Sequence, residues 1–368
     1  MRQVHKDRER MVNKVTLSSF LDKKAAVKSD SHHMGSCLEA FPAQCSHSLM
    51  LGQTMELLPQ RPWRSVIFCA MGGSALAADF VASLGQKRSS LPFWVVRDYS
   101  LPPCVDENTL VIALSYSGDT EETLACYDEA QKRGAAVVAI CSGGRLGQKA
   151  KEDGTALCLV PKGFLPRMAL GYLALPPLMW LSRMNIISVS DKEWFDCYLA
   201  ARDAALHYRP SVATTQNPAK ALALKLRDST IVIWGSRGLT DLAARSMKNQ
   251  INENAQCSAF WGVLPEVNHN EIMAMDRASV IFLRDQGEHQ RIAQRFDLSG
   301  QVLRKHRCTV EEHWGKGETL PGRLLESLCF GAWVSYYLSL LRGVDPWPMK
   351  TIDDLKRAMS EQKLNVDK

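Results

Sequence analysis

Residues 111–124 read Val-Ile-Ala-Leu-Ser-Tyr-Ser-Gly-Asp-Thr-Glu-Glu-Thr-Leu, and no other stretch constrains the fold as strongly. Val111 to Leu114 is a short apolar run that ends in a hydroxyl-rich turn, the pattern of a buried strand. Asp119 and Thr120 are N-cap candidates, with Glu122 and Thr123 in the first turn of a following helix. A strand that ends in hydroxyls and glycine at a helix N-terminus can receive an anion. The amides and the helix dipole supply positive potential there, and the hydroxyls supply further donors. Asp119, Glu121 and Glu122 would repel that anion, so they must point outward or act as caps. The same residues also fit an ordinary strand-to-helix turn, and this stretch alone leaves both readings open.

The theme recurs upstream. Ser65 to Met71 reads as a strand, followed by Gly72-Gly73-Ser74 and a small-residue helix from Ala75 to Leu84. This is neither a G-x-G-x-x-G dinucleotide fingerprint nor a Walker loop with Gly-Lys-Ser/Thr. Glycines at such a turn let a ligand approach the backbone closely. Further strands are expected at Phe93–Val96, Ala135–Cys141 (before Ser142-Gly143-Gly144) and Ala156–Val160, with a helix over about Leu146–Asp153. Strand–helix alternation on this scale means a parallel sheet with helices on both faces. Ligands then bind beyond the carboxyl ends of the strands, where Ser74 and Ser115 both lie. Two such hydroxyl turns in one sheet favour the phosphate reading.

A second αβ unit begins at Ile231–Trp234, followed by Gly235-Ser236. Val280–Leu283 matches Val111–Leu114, but Arg284-Asp285-Gln286-Gly287-Glu288-His289 replaces the hydroxyl cluster. At 368 residues, two domains are expected. The fold class is therefore α/β with two similar domains, each a mainly parallel sheet flanked by helices, of which only the first keeps an anion pocket. The expected boundaries are a basic extension over 1–36, a first domain over 37–185, a helical connector over 186–228 and a second domain over 229–368. Within the second domain, Leu239–Asn254 reads as a helix, with Ala243, Met247 and Ile251 at four-residue spacing. Helices are also expected at Pro321–Leu341 and Ile352–Met359.

Other classes are disfavoured. Much of the net charge of +6 sits in the first 28 residues, where Arg2, Lys6, Arg8, Arg10 and Lys14 outnumber the acids. That leader has no interleaved aromatics, which argues against nucleic-acid binding. His32 and His33 within it read as solvated surface rather than a metal pair. The 11 cysteines contain no C-x-x-C pair, which fits a reducing cytosol. No 18-residue apolar run suggests a membrane span, and no secretory h-region is visible at the N-terminus.

Several motifs now carry a resemblance. They are Met71-Gly72-Gly73-Ser74, Ser115 to Thr123, Ser142-Gly143-Gly144 and Pro166-Arg167 in the first half, with Asn252-Glu253-Asn254 and Pro265 to Glu271 in the second. The chain resembles proteins with two sugar-isomerase (SIS) domains, and more narrowly the bifunctional phosphoglucose/phosphomannose isomerases, over roughly residues 37–363. The first-half motifs are shared widely among SIS proteins, whereas the second-half pair belongs to the isomerase branch. The resemblance implies that Gly72, Gly73, Ser74, Ser115, Ser117 and Thr120 bind the substrate and its phosphate. It implies that Glu253 is the general base and that Arg167 stabilises an enediolate. It also implies that His269 assists ring opening from across a homodimer and that Lys356 lies near the ring oxygen. Lys350 is close to Lys356 in sequence, so the choice of lysine stays open. The family often has Pro-Thr-Pro or similar near the C-terminus, where this chain has Asp345-Pro346-Trp347-Pro348-Met349. The bulky Trp347 bears on mannose 6-phosphate more than on glucose 6-phosphate.

Aldose–ketose isomerisation needs an anchored phosphate, an opened ring and a proton moved between adjacent carbons. It requires no cofactor and no metal. Glu253 stands near the expected C-terminus of its helix, where the dipole would raise a carboxyl pKa. The expectation is a cytosolic enzyme acting on hexose 6-phosphates, with no nucleic-acid or membrane partner. One rival is a SIS sensor that binds a sugar phosphate without turnover, but it would leave Glu253 and His269 without purpose. Another is the isomerase half of a glucosamine-6-phosphate synthase, which needs a glutaminase domain with an N-terminal cysteine nucleophile. Residue 2 here is Arg.

Overall fold

The computed structural model describes residues 19–361. Most of the basic leader, residues 1–18, lies outside them. After a 3-10 helix at Lys24–Ser29 come the helices α1 (Met34–Glu39) and α2 (Phe41–Thr54). The first sheet then alternates with helices: β1 (Ser65–Cys69), α3 (Gly72–Arg88), β2 (Phe93–Val96), β3 (Thr109–Ser115), α4 (Glu121–Lys132), β4 (Ala136–Cys141), α5 (Gly144–Glu152) and β5 (Ala156–Leu159). A 3-10 turn at Pro166–Met168 leads into α6 (Leu170–Arg183), α7 (Asp191–Tyr208) and α8 (Pro218–Leu226). The second sheet comprises β6 (Thr230–Ser236), α9 (Asp241–Asn254), β7 (Ala259–Leu264), β8 (Ala278–Arg284), α10 (Gln290–Lys305) and β9 (Thr309–Trp314). The described chain closes with α11 (Leu320–Arg342) and α12 (Lys350–Glu361).

Both sheets are wholly parallel, in the orders β2-β1-β3-β4-β5 and β7-β6-β8-β9. Strand by strand, β6, β7, β8 and β9 repeat the order of β1, β2, β3 and β4. The centres of both sheets are buried on both faces, which is why β1, β3 and β8 read as unbroken apolar runs. In each sheet the order reverses between the first and third strands. That reversal opens a crevice beyond their carboxyl ends, the place where open α/β sheets bind ligands.

Strands β7 and β9 are not expected from the sequence. Both are edge strands with half-exposed faces. On β9 the acidic Glu311 and Glu312 hide the strand, whereas β7 is apolar in sequence but interrupted by Gly262, with Phe260 exposed at its edge. Helix α11 is long and apolar enough by length and composition alone to cross a membrane, although Arg323 and Glu326 leave it no unbroken 18-residue apolar run. Its apolar window is buried throughout, packed between elements of both halves.

The expected extension over 1–36 also differs. Its described part, from residue 19, is built into the body. The Asp22 carboxylate accepts a hydrogen bond from the fully buried Lys220 ammonium at 2.9 Å. Asp30 accepts from the amides of Met34 and Gly35 and from the hydroxyl of Tyr336 on α11.

Candidate active site

In the first sheet the crevice is lined by the turns after β1 and β3. Ser74, at the start of α3, is buried, and its hydroxyl accepts a hydrogen bond from the Tyr116 amide at 3.1 Å. Ser115 ends β3. Its hydroxyl accepts from the Gly118 amide at 3.1 Å and pairs with the Thr120 hydroxyl at 2.8 Å. Ser117 is exposed, and its hydroxyl accepts from the Asp119 amide at 3.2 Å. Thr120 is the N-cap residue of α4 but makes no side-chain cap bond. Asp119 caps the neighbouring helix instead, accepting from the Arg145 amide at 3.0 Å near the start of α5. The carboxylate most opposed to an anion is thereby engaged away from the hydroxyls.

Two glycines make these turns possible. Gly118 has φ +78°, and a Cβ there would stand 1.9 Å from the Gly143 carbonyl oxygen, so no side chain fits. Gly73 also allows a close approach within the protein itself. A Cβ on it would stand 2.8 Å from the Pro166 carbonyl carbon and 2.9 Å from the Arg167 amide. What approaches the Gly73 backbone is therefore the turn carrying Arg167. The Tyr116 hydroxyl strengthens this link, donating to the Pro161 carbonyl at 2.9 Å and accepting from the Phe164 amide at 2.8 Å. The hydroxyl turn and the Arg167 turn are thus fastened together.

Arg167 is almost wholly buried and every nitrogen of its guanidinium is engaged. Nε donates to Asn254 Oδ1 at 2.7 Å, and Nη1 donates to Glu253 Oε2 at 3.2 Å. Nη2 donates to the carbonyls of Pro346 at 2.7 Å and Trp347 at 3.3 Å. Glu253, the penultimate residue of α9, keeps 27% of its side-chain surface exposed, against 4% for Arg167. Its carboxyl is pushed above the ordinary value near 4.5, as expected. The main cause is burial, opposed by the Arg167 charge and hydrogen bond. Burial also lowers the Arg167 guanidinium from its ordinary value. Glu253 Oε1 has no hydrogen-bond partner among the described residues. The arrangement offers a free basic oxygen beside a fixed cation.

The structure thus brings together the hydroxyl turns, Arg167 and Glu253. It does not bring in His269 or Lys356. His269 is exposed at the end of the 3-10 turn Glu266–His269 after β7, and Lys356 is exposed on α12. Neither makes a hydrogen bond or ion pair with Arg167 or Glu253. Lys350, the other candidate lysine, is also exposed, at the start of α12.

The local sequence assigns Asn254 no role. It binds Arg167 through Oδ1 and the Ser335 hydroxyl of α11 through Nδ2 at 2.8 Å. Its place beside Glu253 at a helix end was the available signal. The Pro346 and Trp347 carbonyls carry no side-chain signature at all.

Paired switch-point sheets with a hydroxyl anion turn define a protein of two sugar-isomerase domains. Residues 61–153 match the SIS domain family, and residues 215–359 match the bacterial phospho-glucose isomerase C-terminal SIS domain. A bifunctional phosphoglucose/phosphomannose isomerase from Caldicellulosiruptor bescii is 35% identical over 81% of this chain and 90% of its own length. One from Aquifex aeolicus is 33% identical over 82% and 92%. Among solved structures, a hypothetical protein from Thermus thermophilus shares the fold, with a TM-score of 0.71 at 15% identity over 96% of this chain and 97% of that one. The chain belongs to the bifunctional phosphoglucose/phosphomannose isomerase family.

Proposed function

We propose that this protein interconverts glucose 6-phosphate and mannose 6-phosphate with fructose 6-phosphate through an enediol, with Glu253 as the base. The observation that carries this reading is the Arg167–Glu253 pair, 3.2 Å apart and fastened to the phosphate-type turn of the other sheet.

In this account Ser74, Ser115, Ser117 and Thr120 hold the substrate phosphate with the amides of the turn, while Gly72 and Gly73 shape its floor. Anchoring the distal phosphate holds C1 and C2 against Glu253, replacing a random encounter with a fixed geometry. The free Oε1 removes the proton from C2 of the aldose, or from C1 of the ketose, and returns it to the adjacent carbon. General acid–base transfer of this kind contributes roughly 10²–10⁴-fold. Negative charge appears on the substrate oxygen only as the proton leaves. The preoriented Arg167 cation stabilises that charge without reorganising. Both aldoses share one enediol, so a single base serves both when the substrate rotates about C2–C3.

His269, exposed and far along the chain from Arg167, assists ring opening in the site of a second copy in a homodimer. Lys356 reaches the ring oxygen when α12 packs over the substrate. The protein works in the cytosol, a reading supported by its 11 free cysteines.

The test is to incubate the purified protein with fructose 6-phosphate and assay both aldoses. Formation of glucose 6-phosphate together with mannose 6-phosphate is expected. Binding seen as a rise in melting temperature, with no product, would replace the enzyme with a sugar-phosphate sensor.

A further inference from the structure

We infer that Ser31 and His32 are positioning residues for the isomerase reaction, because they hold the loop that orients Arg167. The inference rests on Arg167 acting as described above.

The loop in question, Asp345-Pro346-Trp347, joins α11 to α12. Its two carbonyls at Pro346 and Trp347 fix Nη2 of Arg167. Two contacts from the N-terminal segment bear on the same three residues. The Ser31 hydroxyl donates to Asp345 Oδ2, and the Trp347 amide donates to the other oxygen of that carboxylate at 3.1 Å. The His32 ring lies flat against the Trp347 indole, with centroids 5.1 Å apart and planes 9° from parallel.

These contacts form one unit. Ser31 Oγ lies 2.6 Å from His32 Nδ1. A serine hydroxyl has one proton, and here Asp345 receives it, so Oγ accepts from Nδ1–H. That bond sets the imidazole tautomer and holds its plane for stacking. One carboxylate, one hydroxyl and two rings therefore lock residues 31–32 to residues 345–347.

The segment can act as a strap because it is fastened on its own account. Asp30 accepts from the Met34 and Gly35 amides at 2.7 and 3.0 Å and from Tyr336 Oη at 3.1 Å, and Tyr336 is fully buried in α11. The approach at Gly35 is so close that a Cβ there would stand 2.7 Å from the same hydroxyl. Further back, Asp22 binds the Thr214 amide and hydroxyl as well as Lys220. The strap thus ties Arg167 to the body through a route independent of Glu253 and Asn254.

A cation that must meet charge developing on one substrate oxygen tolerates little displacement, and an error of about 1 Å can cost up to ~10²-fold in rate. Loosening the loop should affect the chemical step rather than phosphate binding, since neither Ser31 nor His32 touches the hydroxyl turns.

The test is a kinetic double-mutant cycle on the full chain, with fructose 6-phosphate as substrate. His32→Ala should lower kcat about tenfold with KM changed less than about twofold, the signature of a lost transition-state interaction. In an Arg167→Lys background, where the two carbonyls no longer hold a planar fork, His32→Ala should change kcat by less than about twofold. Ser31→Ala removes a single exposed hydroxyl and should show the same pattern, which covers the case of an unfolded His32→Ala protein. Wild-type kcat in His32→Ala and Ser31→Ala, or an equal loss in both backgrounds, would overturn the strap while leaving the isomerase reading intact. Absence of turnover in the unaltered protein would overturn both.

Discussion

The two sheets share a strand order and a switch point, yet they end in opposite chemistry. After β3, the turn offers the hydroxyls of Ser115, Ser117 and Thr120 and directs the acid within it, Asp119, to another helix. After β8, the corresponding turn is filled by its own carboxylate. Asp285 is 1% exposed. It accepts from the Gly287 amide at 2.7 Å and from Arg323 through Nε at 2.8 Å and Nη2 at 3.2 Å. Beside it, Arg284 is buried and bound to Glu288, Asp297 and Glu312. The second turn carries an internal anion where the first can take an external one. Duplicated topology therefore gives one turn that presents hydroxyls and one that is closed by its own ion pair.

The same contrast holds for the buried arginines. Arg167 faces a carboxylate that retains exposed surface and a free oxygen, whereas Arg323 meets in Asp285 a buried carboxylate with both oxygens engaged. Arg167→Ala should therefore lower kcat by about 10²–10³-fold, the cost of losing one preorganised donor to a developing oxyanion. Steady-state assay with fructose 6-phosphate checks this. Asp285→Ala should instead cost about 3–5 kcal/mol of stability, because it strands a buried guanidinium. Denaturant unfolding reads that loss. An Asp285→Ala protein as stable as the parent, or an unfolded Arg167→Ala protein, would erase the distinction.

In the hydroxyl turn, Ser117→Ala should raise KM roughly tenfold, as expected for one lost hydrogen bond to a charged group. Its stability should change by less than about 0.5 kcal/mol, since the residue is exposed. The smallest effect concerns pH. Burial raises the Glu253 carboxyl above the ordinary value near 4.5. With Glu253 as the proposed base, working deprotonated, kcat/KM should rise with pH through a midpoint above that value. Glu253→Asp should move this acid limb, and an unmoved limb would assign it to another group.

The central strands were legible because burial on both faces leaves nothing but apolar side chains, as in Val111–Leu114 and Val280–Leu283. Edge strand β7 was not, because Gly262 interrupts its apolar run, nor was β9, because its side chains divide between core, solvent and ion pairs. Lys225, for example, holds Glu311. The hydroxyl turn was readable as chemistry, since residue type and position at a strand end suffice. The meeting of Arg167 with Glu253, 86 residues apart, came from the family resemblance and not from any local pattern. Backbone carbonyls that orient Arg167 leave no trace in residue identity. His32 read as solvated surface, and it is exposed, but its stacking on Trp347 depends on a long-range closure that no window of sequence displays.

The central claim is that the first half holds the phosphate while Glu253 of the second half moves the proton. The most direct measurement is proton exchange in deuterium oxide, following deuterium at C1 of fructose 6-phosphate by NMR. The unaltered protein should incorporate deuterium as it isomerises. Glu253→Gln should incorporate none on the same timescale while fructose 6-phosphate still raises its melting temperature. Exchange at the parental rate in Glu253→Gln would contradict the account.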